Sequence, residues 1–182
     1  MANRRRSASE RARVSVESKG RLADIRLFAT DVDGVLTDAG MYYTEAGDEL
    51  KKFNTHDGMG IKLLQRAGLI TAIITQEQTK LVARRAQKLT IPELHQGVMD
   101  KRACLDEIVA RHGLTLAEVA YIGDDVNDVD ALRAVGFAAA PADAMPPAKL
   151  VVRYVCKKRG GEGAVREVAD LILAARRTTR LR

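Results

Sequence analysis

The sequence predicts an α/β fold, a three-layer sandwich in which helices cover both faces of a parallel sheet. Short apolar runs at residues 27–29, 69–74, 119–122 and 137–140 alternate with longer segments of helical period. Strands alternating with helices close by right-handed crossovers into a parallel sheet. Polar residues follow the apolar runs directly: Asp31 and Asp33, then Thr75, then Asp124 and Asp125. In an open α/β sheet the carboxyl ends of the strands are where ligands sit.

Taken in order, residues 27–29 form a buried strand, and Gly34 lets the chain turn away after the two acids. Residues 41–43 and 50–53 read as strand pieces around a turn at residues 45–48, a β-hairpin flap beside the first strand. Residues 54–58 (NTHDG) read as a polar loop, followed by a helix over 59–67 that stops at Gly68. Residues 69–74 are a second buried strand ending at Thr75. The spacing of Leu81, Val82, Ala86 and Leu89 predicts a helix over 77–89. A short strand at 94–97 precedes a helix over 101–112, closed by Gly113. Residues 119–122 and 137–140 are further strands flanking a helix over 127–135, and residues 150–155 are read as a fifth strand. Residues 160–163 read as a flexible glycine loop, and residues 164–176 as the closing helix.

At 182 residues the chain suits one well-cored domain. With 46% hydrophobic residues but only 4% aromatic and no Trp, the core must be built from Leu, Val, Ile and Ala. The net charge of +6 is unevenly spread. Residues 1–20 carry six Arg/Lys against two Glu, and residues 176–182 carry four Arg, so the tails hold +8 and the body is left at −2. A mildly acidic body argues against a nucleic-acid partner, which would need a basic surface. Residues 1–20 read as a disordered basic extension and residues 177–182 as a basic tail. Cys104 and Cys156 are far apart and outside any metal-binding pattern, as expected of reduced thiols in the cytoplasm. No apolar run approaches a membrane span, and no apolar stretch follows the basic N-terminus as in a secretory signal.

Asp31 and Asp33, two residues apart on an extended chain, point to one face. Carboxylates held that close repel unless a cation or a shared proton relieves them. Two readings fit this pair alone: a metal-dependent site, or acids of a turn or helix cap. The wider set favours the site. Carboxylates from two strand ends supply the hard oxygens that Mg²⁺ prefers. Thr75 can hydrogen-bond a phosphate oxygen, and Lys101 can neutralise its charge.

Those residues carry a resemblance. DVDGVLTD, the strand ending in Thr75, Lys101, and GDDVND at residues 123–128 are similar to the four motifs of the haloacid dehalogenase superfamily, in its phosphatase branch. The resemblance spans roughly residues 21–175. FNTHDG, QGVMDK and GGEGAVRE place it near the uncapped group of 3-deoxy-D-manno-octulosonate (KDO) 8-phosphate phosphatases. That group includes phosphatases of nine-carbon 9-phosphates and assembly domains of acylneuraminate cytidylyltransferases. The resemblance implies a Rossmann-like fold over residues 21–176 with no cap domain, and a Mg²⁺-dependent phosphatase. Asp31 would be the nucleophile and Asp33 the acid/base. Mg²⁺ would be held by Asp31, the Asp33 carbonyl and Asp124. Asp125 and Asp128 would orient Asp124 and Lys101, while Thr75 and Lys101 bind the phosphoryl group.

The same resemblance implies a sugar-acid phosphate substrate, with Asn54, Thr55, His56, Asp57, Gly58 and Lys62 expected around it. The group's octulosonate members carry Gly-Arg after the threonine, where this chain has Gln76-Glu77, and Arg where it has Glu162. These departures resemble the nine-carbon side of the group, such as 2-keto-3-deoxynononate (KDN) 9-phosphate phosphatases, so a nine-carbon substrate is the first expectation. KDO 8-phosphate is the alternative, and a non-catalytic assembly domain a third. Asp33 would also contact the sugar, and Arg85 and Lys88 would supply the cation that its carboxylate needs beside Glu77. Glu77 would meet sugar hydroxyls or pair with Arg85 and Lys88, or else serve as a first-turn helix acid. Uncapped members close their sites as homotetramers, which makes Met41, Tyr42 and Tyr43 candidates for a subunit contact.

Overall fold

The computed structural model describes residues 22–180, so the extension expected over residues 1–20 lies outside the described residues. Among the described residues, eight strands form two sheets. The main one is six-stranded and wholly parallel, in the order β5-β4-β1-β6-β7-β8. Its members are β1 (Leu27–Thr30), β4 (Ile70–Ile74), β5 (Glu93–His95), β6 (Val119–Ile122), β7 (Phe137–Ala140) and β8 (Tyr154–Val155). The other pairs β2 (Tyr42–Tyr43) with β3 (Glu49–Leu50) as an antiparallel hairpin. The α/β architecture read from the alternation is the one observed.

The strands β1, β4, β6 and β7 are almost wholly apolar because both faces are buried. In β1, Phe28 enters one apolar layer while Leu27 and Ala29 enter the other, as the period of two requires. On the Phe28 side lie α1 (Thr55–Arg66), α2 (Lys80–Leu89) and α6 (Ala164–Arg180), contributing Ile61 and Leu64, Val82 and Ala86, and Val168 and Ile172. On the other side lie α3 (Lys101–Arg111), α4 (Val129–Ala134) and α5 (Pro146–Val151), contributing Leu105 and Ile108, Leu132, and Ala148. Burying an aliphatic side chain of this kind stabilises the fold by roughly 1.5–3 kcal/mol. β1 is central, with β4 on one flank and β6 on the other, so the strand order reverses beside it. The carboxyl ends of β1, β4 and β6 therefore open into one crevice.

Six local expectations are corrected. Residues 54–58 are not a loop: Asn54 accepts a hydrogen bond from His56 N–H at 2.8 Å and starts α1 at Thr55. α2 begins at Lys80, not 77, because Thr79 is its cap, accepting from Val82 N–H at 3.2 Å. Glu77 is thus outside the helix and is no first-turn acid. β3 ends at Leu50, before the strand expected to reach residue 53. The apolar run at 150–155 divides. Two prolines in the first turn favour a helix through Val151, leaving only Tyr154–Val155 as strand. Last, the glycine loop is tightly packed: a Cβ on Gly160 would lie 1.9 Å from the Gly34 carbonyl oxygen. The closing helix also runs on to Arg180, with no Gly or Pro to stop it at 176.

Candidate active site

The chain leaves β1 at Thr30 and delivers Asp31 into the crevice, almost fully buried at 5% exposure. Its backbone N–H donates to Ile122 O of β6 at 3.0 Å, so the sheet itself fixes the position. Lys101, the first residue of α3, is 1% exposed and reaches Asp31 Oδ2 at 2.8 Å and Asp128 Oδ1 at 2.7 Å. Burial opposes the charge on Lys101, but the two carboxylates outweigh it and raise its pKa. Tyr121 Oη also donates to Asp128 Oδ1, at 2.5 Å, while Asp124 and Asp125 N–H donate to its Oδ2 at 2.9 and 3.3 Å. Asp128 therefore anchors both Lys101 and the turn that carries Asp124.

The Asp124 carboxylate rests against the backbone of Gly34. A Cβ there would lie 2.0 Å from Asp124 Oδ2, and φ at Gly34 is +78°, so glycine is required twice over. Oxygens of Asp31, Asp124 and Asp128 lie within 4.8 Å of one another. Burial, with Asp128 alongside, pushes the Asp31 carboxyl up to about 7 against the pull of Lys101. Burial and the neighbouring acids push Asp124 up to about 8. Such a cluster is relieved by a cation. Since Asp128 already takes four donors, Asp31 and Asp124 are the residues that would hold one. Their hard oxygens suit Mg²⁺, which also keeps waters and a substrate phosphate.

Above the cluster is a cleft of about 630 Å³, lined by Asp31, Asp33, Thr75, Gln76, Glu77 and Asp124, with Met41 of the hairpin and Asn127 at its sides. Thr75 is held by its own N–H, which donates to His95 O at 2.9 Å, and by its carbonyl, which accepts from Val98 N–H at 3.0 Å. Asp33 is more open, and its Oδ1 accepts from Lys51 Nζ at 2.6 Å. The same ammonium bonds Glu77. The Asp125 carboxylate caps the following turn, accepting from Val126 N–H at 2.6 Å and, in a capping box, from the N–H of Asp128, the residue that anchors Lys101 and the turn of Asp124.

The structure separates most of the expected sugar contacts from this cleft. Asn54 donates to Gly161 O at 3.1 Å. Asp57 is fully buried, accepting from Gly163 and Arg166 N–H at 3.2 and 2.9 Å. Gly58 is buried beside Arg85, while His56 lines a different cavity of about 720 Å³ together with Glu162 and Arg166. Arg85 does not pair with Glu77: it donates to Asn54 O at 2.8 Å and stacks over Phe53. Lys62 donates to Thr90 Oγ1 at 2.6 Å, Lys88 is exposed in the last turn of α2, and Thr55 is exposed. Of the residues expected around the sugar, Asp33 and Glu77 line the cleft. The cation that Glu77 requires is Lys51, which sequence reading missed. Alternation along residues 49–53 puts Lys51 and Lys52 on opposite faces, but says nothing of which faces inward.

A family model described as haloacid dehalogenase-like hydrolase matches residues 70–168. The chain belongs to that family. Its described relatives lie in the phosphatase branch. The 3-deoxy-D-manno-octulosonate 8-phosphate phosphatase of Yersinia pestis is 45% identical over 155 residues, 85% of this chain and 83% of the relative. The Moraxella catarrhalis enzyme of that name, solved with magnesium, phosphate and KDO, is 39% identical with a TM-score of 0.87, covering 91% of this chain and 95% of that one. The cobalt-bound Haemophilus influenzae enzyme is 36% identical with a TM-score of 0.83, covering 88% and 94%. This haloacid dehalogenase-like chain is an enzyme of the phosphatase type, and these relatives carry the eight-carbon name. They favour the octulosonate alternative over the nine-carbon expectation.

Proposed function

We propose that the chain is a Mg²⁺-dependent phosphomonoesterase that hydrolyses 3-deoxy-D-manno-octulosonate 8-phosphate. The observation that carries the reading is Asp31, buried at the carboxyl end of β1 with Lys101 at 2.8 Å and Asp124 alongside. Asp31 attacks phosphorus, forming the aspartyl-oxygen to phosphorus bond as the bond to the sugar oxygen breaks. Asp33 gives the leaving oxygen its proton, then takes one from the water that hydrolyses the aspartyl-phosphate. Thr75 and Lys101 bind the phosphoryl oxygens. Asp31 and Asp124 are the residues that would hold Mg²⁺, and the ion would neutralise charge as the two anions approach.

The same reading includes a homotetramer in the cytoplasm. Five carboxylates line the cleft with no basic residue in its lining among the described residues, and the nearby ammonium groups of Lys51 and Lys101 are already paired with acids. A sugar acid therefore needs a cation from elsewhere, such as a neighbouring subunit. Met41, Tyr42, Tyr43 and Leu50 expose apolar surface on the hairpin beside the cleft, which supports a contact there. No helix among the described residues is long and apolar enough to cross a membrane.

The test is phosphate release from KDO 8-phosphate and KDN 9-phosphate, with Mg²⁺ and with EDTA, beside Asp31→Asn. Mg²⁺-dependent turnover of the eight-carbon ester, lost in Asp31→Asn, is expected. Preference for the nine-carbon ester would overturn the substrate, and activity surviving Asp31→Asn would overturn the mechanism. Light scattering of the purified protein tests the tetramer.

A further inference from the structure

Lys51 stands out among the lysines. The residue is half-buried, yet its side chain has no exposed surface, although it follows a two-residue strand that is partly or fully exposed. Its ammonium joins three segments far apart in sequence: the loop after β1 through Asp33, the hairpin itself, and the loop after β4 through Glu77. Burial works against its charge, but hydrogen bonds and attraction from the two acids outweigh it. The neighbouring Lys52 shows the contrast, since it is exposed and pairs with Asp38 at 2.9 Å outside the cleft.

We propose that Lys51 is the positioning residue for Asp33, with Glu77 as its anchor. This rests on the reading of Asp33 as the proton donor to the leaving group. The carboxylate torsion of an aspartate is broad, so an unheld Asp33 would sweep through many orientations. Lys51 donates to Oδ1 at 2.6 Å, and the Thr37 hydroxyl, whose one proton is shared with Val32 O at 3.3 Å, lies 3.4 Å from the same oxygen, which leaves Oδ2 for proton exchange with the substrate. Glu77 holds the ammonium from its other side, so the hairpin brings a fixed charge to the acid rather than a mobile one. Two charge-assisted hydrogen bonds offset the rotamer freedom that a lysine loses when fixed. Glu77 is thereby assigned to Lys51 and not to the sugar.

The experiment compares kcat/KM for KDO 8-phosphate and p-nitrophenyl phosphate in the wild type, Lys51→Met, Lys51→Arg and Glu77→Gln. This constant reports the steps through phosphorylation of Asp31, before the hydrolysis of the intermediate. An alkoxide leaves only with a proton, whereas p-nitrophenolate leaves without one. General acid catalysis and its alignment are worth on the order of 10²-fold. Lys51→Met should therefore lose at least about tenfold more on the sugar phosphate than on p-nitrophenyl phosphate. Lys51→Arg should restore part of that difference, and Glu77→Gln should show a smaller loss of the same selectivity. Mg²⁺ titration and thermal melts accompany each variant. Equal losses on both esters, or no loss on either, overturn the proposal. A wild type whose turnover survives Asp31→Asn would instead remove the mechanism beneath it, a result distinct from any pattern among the Lys51 variants.

Discussion

Asp128→Asn tests whether the site is held by its buried charges. The carboxylate is fully buried and accepts from Lys101 Nζ and Tyr121 Oη on one oxygen, and from Asp124 and Asp125 N–H on the other. An asparagine offers one oxygen and one NH₂ group, so in either orientation its amide faces two donors. Losing two hydrogen bonds to a charged acceptor removes roughly 3–6 kcal/mol, at about 1.5–3 each. Partial relaxation brings the expected loss to about 3–5 kcal/mol, the usual cost of breaking a buried ion pair. For a domain of this size that lowers Tm by roughly 6–20 °C. Lys101 keeps only Asp31 as a partner, so its hold on phosphate should weaken and phosphate release should fall with stability. Urea unfolding followed by circular dichroism in EDTA gives the number. Asp125→Asn is the control, because its carboxylate accepts only backbone N–H groups of the turn, those of Val126 and Asp128, and Asn caps equally well. A midpoint for Asp128→Asn equal to that of the control would refute the reasoning.

Three more outcomes are expected. Asp31 and Asp124 are pushed from 3.8 up to about 7 and about 8, so the folded protein keeps protons that the unfolded chain has already lost. Between those values and 3.8, metal-free stability should fall as pH rises, and Mg²⁺ should raise Tm more at pH 8.5 than at pH 6. Equal Mg²⁺ gains at the two pH values would count against that account. Gly160→Ala forces a Cβ against Gly34 O, so it should cost about 1–3 kcal/mol or more and weaken Mg²⁺ binding by shifting the loop that seats Asp124; an unchanged Mg²⁺ isotherm would contradict this. Glu167→Ala removes the acceptor of Tyr154 Oη at 2.5 Å and of Lys157 and Lys158 N–H. It should cost about 2 kcal/mol in a thermal melt yet leave kcat within about twofold, because the part of the loop that meets Gly34 is held separately, by Gly160 N–H on Asp143 Oδ1 and Gly161 N–H on Val35 O.

Much of this protein was legible without its structure because its signals are local. Runs of β-branched and apolar residues determined the strands β1, β4, β6 and β7, and an acid or hydroxyl just after the first three determined what reaches the cleft. Asp31, Thr75 and Asp124 needed only that reasoning, since a residue at a strand's carboxyl end has one crevice to enter. Other features depend on contacts between distant segments. Residues 54–58 contain a helix start because Asn54 caps it and Asp57 is taken by the backbone of α6, more than a hundred residues later. Residues 146–151 fold as a helix where an apolar run suggested strand, the paired prolines prevailing over β-propensity. Neither Lys51 nor Lys52 announces which one faces inward, and only the seating of the hairpin against Asp33 and Glu77 decides it. Periodicity and capping are properties of a few adjacent residues. Which charges meet across a cleft is a property of the packed sheet.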